Sequence, residues 1–157
     1  IMKLLSWNCQ RLWNHWTVQD LSNLVKEKSS NIVFLIETMI KSSKLESVKY
    51  RLRMEGYFAV DPLGRRGGLG LFWKDKEVVE VLTYSQWHVS ARVYEKDGKS
   101  WVFTGFYGHP DTTKINKSWE LLSRLKLVDD SAWCVAGDFN KILTQHEKVG
   151  GRLRDES

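Results

Sequence analysis

Apolar positions change their spacing several times along the chain. They stand close together in MKLLSWN (residues 2–8), fall three and four apart at Val18, Leu21, Leu24 and Val25, then run unbroken through NIVFLIE (residues 31–37). Close or alternating spacing marks strands, and a period near 3.6 marks a helix. A first strand is therefore expected at 2–8. A helix follows to Lys28, opened by the capping-box pattern of Thr17 to Asp20. The unbroken run predicts a strand buried on both faces. A second helix is expected from Ser43, turning Leu45, Val48 and Leu52 inward and ending by Gly56. Strands are predicted at 57–61, 69–74, 78–84 and 90–96, and Asp97-Gly98 closes a hairpin with the next at 100–108. A third helix over 116–126 would bury Trp119, Leu122 and Leu125, before a last strand at 131–138, SAWCVAGD.

Strand–helix alternation followed by a hairpin meander implies an α/β fold with a mixed sheet, its helices over one face. The opposite face also needs a cover, and too little sequence remains to give a good one. The 157 residues suit one domain, 1–157. No final element is legible after residue 138, so the expectation is a truncated domain whose C-terminal portion is missing.

Composition narrows the class. An apolar fraction of 42% with 27% charged residues is globular rather than disordered. The net charge of +5 suits a polyanionic partner without demanding one. Cys9 and Cys134 are too far apart in sequence to frame a zinc site or a disulfide scaffold, which points to reduced thiols in an intracellular protein. No stretch approaches the roughly 20 apolar residues of a membrane span, and no signal peptide is legible. Of eight tryptophans, Trp7, Trp73, Trp101 and Trp133 lie in predicted strands and are expected in the core.

The chemistry sits where strands end. Four separate apolar runs finish at Asn8, Glu37, Tyr107 and Asp138, with Asn140 just beyond. In α/β sheets, ligands collect outside the carboxyl ends of strands. Oxygen donors of this kind suit a hard divalent cation such as Mg²⁺, which polarises a phosphoryl oxygen, while an opposed carboxylate orients or deprotonates water. Singly, each residue is an ordinary turn former. Their coincidence at several strand ends is the signal.

SWNCQ (6–10), FLIET (34–38), GGLGLFWK (67–74), FYGHP (106–110) and AGDFN (136–140) occur in an order that resembles the endonuclease/exonuclease/phosphatase superfamily. The flavour is that of the apurinic-type endonuclease domain of plant non-long-terminal-repeat retrotransposons. The resemblance implies a four-layer α/β/β/α sandwich of the DNase I-like type and Mg²⁺- or Mn²⁺-dependent phosphodiester hydrolysis. Its partner would be the phosphate backbone of DNA in the nucleus, with no small-molecule cofactor. Carried onto this chain, it makes Glu37 the principal metal ligand with Asn8 beside it. Asp138 then positions the nucleophilic water, Asn140 steadies the phosphate, and Tyr107 supports the transition state. Arg65 and Arg66 in the glycine-rich loop, His109, and Arg11 (where related domains carry glycine) become DNA contacts. The family's late Ser-Asp-His segment has no counterpart, since His15, His88, His109 and His146 all precede its place. Two alternatives follow: a truncated, catalytically inactive relic that at most binds nucleic acid, or a phosphatase or phosphodiesterase of the superfamily acting on a non-DNA substrate.

Overall fold

The computed structural model describes residues 2–9, 14–64, 66–75, 78–108, 120 and 131–138. Their elements are β1 (Leu4–Asn8), α1 (His15–Lys28), β2 (Ile32–Ile36), α2 (Ser42–Arg51), β3 (Gly56–Val60), β4 (Leu69–Trp73), β5 (Val79–Tyr84), β6 (His88–Tyr94), β7 (Ser100–Tyr107) and β8 (Ala132–Asp138). The helix expected at 116–126 and everything after residue 138 lie outside these residues.

The strands make two four-stranded sheets, ordered β1-β2-β4-β3 and β5-β6-β7-β8. Both are mixed. In the first, β1 runs parallel to β2 while β4 is antiparallel to β2 and β3. In the second, β5, β6 and β7 form an antiparallel meander and β8 runs parallel to β7. Periodicity alone implied one mixed sheet with a face left to cover. The structure corrects that reading, because the meander closes into its own sheet and covers the helix-free face of the first. Helices, first sheet and second sheet are three of the layers that the resemblance implies.

β2 shows why this sequence stacks so. Val33 and Leu35 join Val18, Leu21, Val25, Leu45 and Val48 of the two helices in one core. Ile32, Phe34 and Ile36 face the other way, onto Val89, Ala91, Val93 and Phe103 of the second sheet. The unbroken apolar run is thus apolar because both of its faces are interior. Phe34 meets Phe103 edge to face at 5.6 Å. Gly105 gives Phe34 its room: a Cβ there would lie 2.4 Å from the ring.

One helix start needs correction. α1 begins at His15, ahead of the Thr17–Asp20 pattern, because Asn14 is the cap and its side chain accepts the Trp16 N–H at 2.9 Å. Trp73 lies in the core, and Trp7 and Trp101 pack against it. Trp133 donates its indole N–H to Thr104 at 2.8 Å. Among the described residues, no helix is long and apolar enough to cross a membrane.

Candidate active site

Each sheet contributes one parallel strand pair to a common rim. In the first, the β1–β2 register sets Asn8 beside Ile36, with Glu37 the next residue. In the second, the β7–β8 register sets Tyr107 beside Asp138. Neighbouring strands lie about 4.8 Å apart, so each pair forms one side of a small square. Two hydrogen bonds close it across the sheets. The Asn8 amide donates to Asp138 Oδ2 at 3.3 Å, and the Tyr107 hydroxyl donates to Glu37 Oε1. Tyr107 is buried, while Asn8, Glu37 and Asp138 are half-buried.

The backbone around Glu37 is held against its preference. Glu37 and Met39 have φ of 56° and 58°, a left-handed conformation that costs a residue with a Cβ about 1–2 kcal/mol. Neighbours fix it. The Cys9 N–H and thiol both donate to the Ile36 carbonyl, at 3.0 and 3.2 Å. From the glycine-rich loop, the Gly68 and Gly67 carbonyls accept the Thr38 and Met39 N–H groups at 3.2 and 3.0 Å. A Cβ on Gly68 would lie 2.4 Å from Thr38 Oγ1. That oxygen is buried with no hydrogen-bond partner among the described residues.

Asp138 and Tyr107 are positioned as closely. Gly137 has φ of 141°, and a Cβ there would meet the Phe106 carbonyl oxygen at 1.8 Å, so only glycine delivers Asp138 against β7. The Trp87 carbonyl accepts the Tyr107 N–H at 2.7 Å, and the two rings sit 5.8 Å apart. Trp87 belongs to a turn built on His88. Ser85 Oγ lies 2.6 Å from His88 Nδ1 and accepts the Trp87 N–H at 3.0 Å, while Thr83 Oγ1 lies 3.1 Å from His88 Nε2. Burial lowers the pKa of His88 and keeps the ring neutral. Burial also pushes the Cys9 thiol up to about 12, with the Glu37 charge adding to the effect against a backbone hydrogen bond.

The donor set is sparse and made of oxygen. Among the described residues, no three His, Cys, Asp or Glu side chains gather where they could share a metal ion. Two carboxylates and an amide offer oxygen donors, whereas zinc centres draw mainly on nitrogen and sulfur. Such oxygen donors fit Mg²⁺, which takes one or two carboxylates and retains water. Of the remaining expected site residues, Arg66 is exposed in a turn with Leu63, directly before the loop that braces Glu37. Arg11, Arg65, His109 and Asn140 lie outside the described residues. Periodicity gave no role to Cys9, Gly68 or Trp87. Their adjacency to the NC, ET and YG motifs is a signal only once the strands are paired.

No protein-family model matches the sequence, and no curated protein matches it. Solved structures do. The human Nocturnin catalytic domain with bound sulfate superposes with a TM-score of 0.65 at 15% identity, covering 92% of this chain and 67% of that one. The endonuclease domain of TRAS1, a telomere-specific non-LTR retrotransposon, gives 0.64 at 16%, covering 88% and 60%. An AP endonuclease from Archaeoglobus fulgidus gives 0.63 at 21%, covering 89% and 58%. The chain thus spans between 58% and 67% of the length of these three structures. At such identities the likeness concerns architecture. The fold is the DNase I-like α/β fold of the endonuclease/exonuclease/phosphatase proteins.

Proposed function

We propose that this chain carries the metal-dependent phosphodiesterase site of a retrotransposon-type DNA endonuclease, a nicking activity on nuclear DNA. The observation that supports the reading is the square itself: Asn8, Glu37, Tyr107 and Asp138, from four strand ends, meet at one rim through two bonds between sheets. Glu37 and Asn8 would hold Mg²⁺ or Mn²⁺, which when bound neutralises charge developing on a phosphoryl oxygen. Asp138 is the carboxylate that orients or deprotonates the attacking water, and its bond from Asn8 fixes its direction. Tyr107 aligns Glu37 through its one O–H, which would have to leave that carboxylate to donate to the phosphate or leaving oxygen in the transition state. Asn140 steadies the phosphate. Arg11, Arg65, Arg66 and His109 would engage the DNA backbone, a role that sets position rather than sequence.

A supercoiled plasmid with Mg²⁺ tests this directly. Wild-type chain should convert it to open circles, and EDTA or Glu37→Gln should stop the conversion. Nicking that persists in the folded Glu37→Gln protein rejects the assignment. Retained DNA binding without any nicking favours an inactive relic, and release of phosphate from a soluble phosphomonoester instead favours a non-DNA substrate.

A further inference from the structure

Away from the rim lies a cavity of about 520 Å³ between the last turns of α1 and α2 and the end of β4. Lys26, Arg51, Arg53 and Lys74 line it, and no acidic side chain does among the described residues. Four positive charges in one hollow compare with a net charge of +5 for the whole chain. We infer that this cavity is a second anion site, separate from the candidate active site, that takes a short run of phosphates.

The plain alternative is that these cations serve the helix ends. Two helix C-termini carry about −0.5 charge each, roughly −1 together, so about three of the four positive charges remain uncompensated. Most of the terminal carbonyls are also already engaged. Backbone N–H groups of Ser29 and Ser30 reach the Lys26 and Val25 carbonyls, and those of Arg53 and Met54 reach Tyr50 and Lys49. Ser22 Oγ donates to the Arg51 carbonyl at 3.2 Å. Among the described residues, no hydrogen bond joins any of the four side chains to a helix-end carbonyl.

Arg51 is held in place by Gln19 and His15, neither of which is a carboxylate. One of its nitrogens donates to Gln19 Oε1 at 3.2 Å and another lies 3.4 Å from His15 Nδ1. The guanidinium is thus oriented across the two helices while its charge stays available, the arrangement that phosphate recognition favours. The volume falls within the range of small-molecule sites, about 300–1,000 Å³. A charge near +3 suits a di- or triphosphate group better than a single phosphate.

The position separates this site from the rim. Ser30 precedes β2 and Lys74 follows β4, whereas Glu37 follows the other end of β2. A strand of this length spans about 17 Å at roughly 3.3 Å per residue. Phosphates of a free nucleotide and phosphates of a nucleic-acid strand share the required chemistry.

Isothermal titration with inorganic triphosphate, in EDTA so that the rim holds no metal, is the test. One equivalent should bind, and Arg53→Gln with Lys74→Gln should weaken it at least tenfold. Both side chains are exposed, so the double variant should keep its melting temperature. Lys96→Gln with Lys99→Gln, on the distant hairpin, should change nothing, and neither should Glu37→Gln. In the wild-type chain, triphosphate should protect Lys26 and Lys74 from acetylation. A 5′-phosphorylated oligothymidylate that competes with triphosphate identifies a strand as the source, and one that does not identifies a free ligand. No binding, or equal weakening by the hairpin variant, overturns the inference whatever the plasmid assay shows.

Discussion

The contact between Phe34 and Gly105 sets the distance between the two sheets, and its energetics are open to measurement. Gly105→Ala would place a Cβ 2.4 to 2.6 Å from three carbons of the Phe34 ring, where ordinary contact begins at 3.4 Å. The ring must retreat by about 1 Å into a core packed at crystal-like density, and overpacking of this kind costs about 1–3 kcal/mol. Part of the cost is offset, since replacing glycine in a strand by alanine stabilises by roughly 0.5–1 kcal/mol. A net loss of about 1–2 kcal/mol is expected. Phe34→Leu alone opens a cavity and should cost less than the 3–5 kcal/mol typical of Phe→Ala. Combined, the two should partly cancel, with a favourable coupling of about 1–2 kcal/mol. Urea denaturation of the four proteins measures this, with a midpoint shift near 0.5–1 M for each single change. Glu37 directly follows the strand that carries Phe34, and Gly105 precedes Tyr107 on the other, so nicking should fall in Gly105→Ala and recover in the double variant. Strict additivity of both stability and activity would mean the sheets do not meet as described.

Three further outcomes are expected. Tyr107→Phe removes a hydrogen bond to a carboxylate and should cost about 1.5–3 kcal/mol in urea unfolding, with nicking reduced about ten- to a hundredfold; unchanged stability and rate would sever Tyr107 from Glu37. Burial depresses the pKa of His88 below its unfolded value of 6.5, so its contribution is fully present above that pH and lost as pH falls toward the folded value. Urea midpoints should therefore decline between pH 7.5 and pH 5, and His88→Asn should flatten the decline; an identical slope in the variant counts against the assignment. With Cys9 near 12 against an ordinary 9.0, its thiolate is about a thousandfold scarcer, whereas Cys134 is exposed. A thiol-reactive disulfide reagent should label the native chain in two phases, one fast and one very slow, and two equal rates would contradict the burial of Cys9.

Periodicity carried most of the local structure because each element has a face to hide. β2 is apolar at every position since helices cover one side and the second sheet the other. α2 shows its Leu45 and Val48 stripe for the same reason. What periodicity could not give is which face meets which. A single mixed sheet and two stacked sheets demand similar alternation, and only the resemblance pointed to the stack. The rim was legible as a set of strand-end residues, but its pairing was not. Nothing local in the sequence says that Asn8 turns to Asp138 or Tyr107 to Glu37, because those partners lie far apart along the chain. The left-handed turn at Glu37 was equally hidden. A glutamate carries no sign of positive φ, and the bonds that impose it come from Cys9 and from the glycine-rich loop.

The division of the square between two sheets makes its assembly conditional. A chain that has formed only its first sheet owns Asn8 and Glu37 but nothing for them to grip, and an isolated meander holds Tyr107 equally idle. The square exists only when the sandwich shuts, so a half-made or misdocked molecule presents two separate pairs and no common rim.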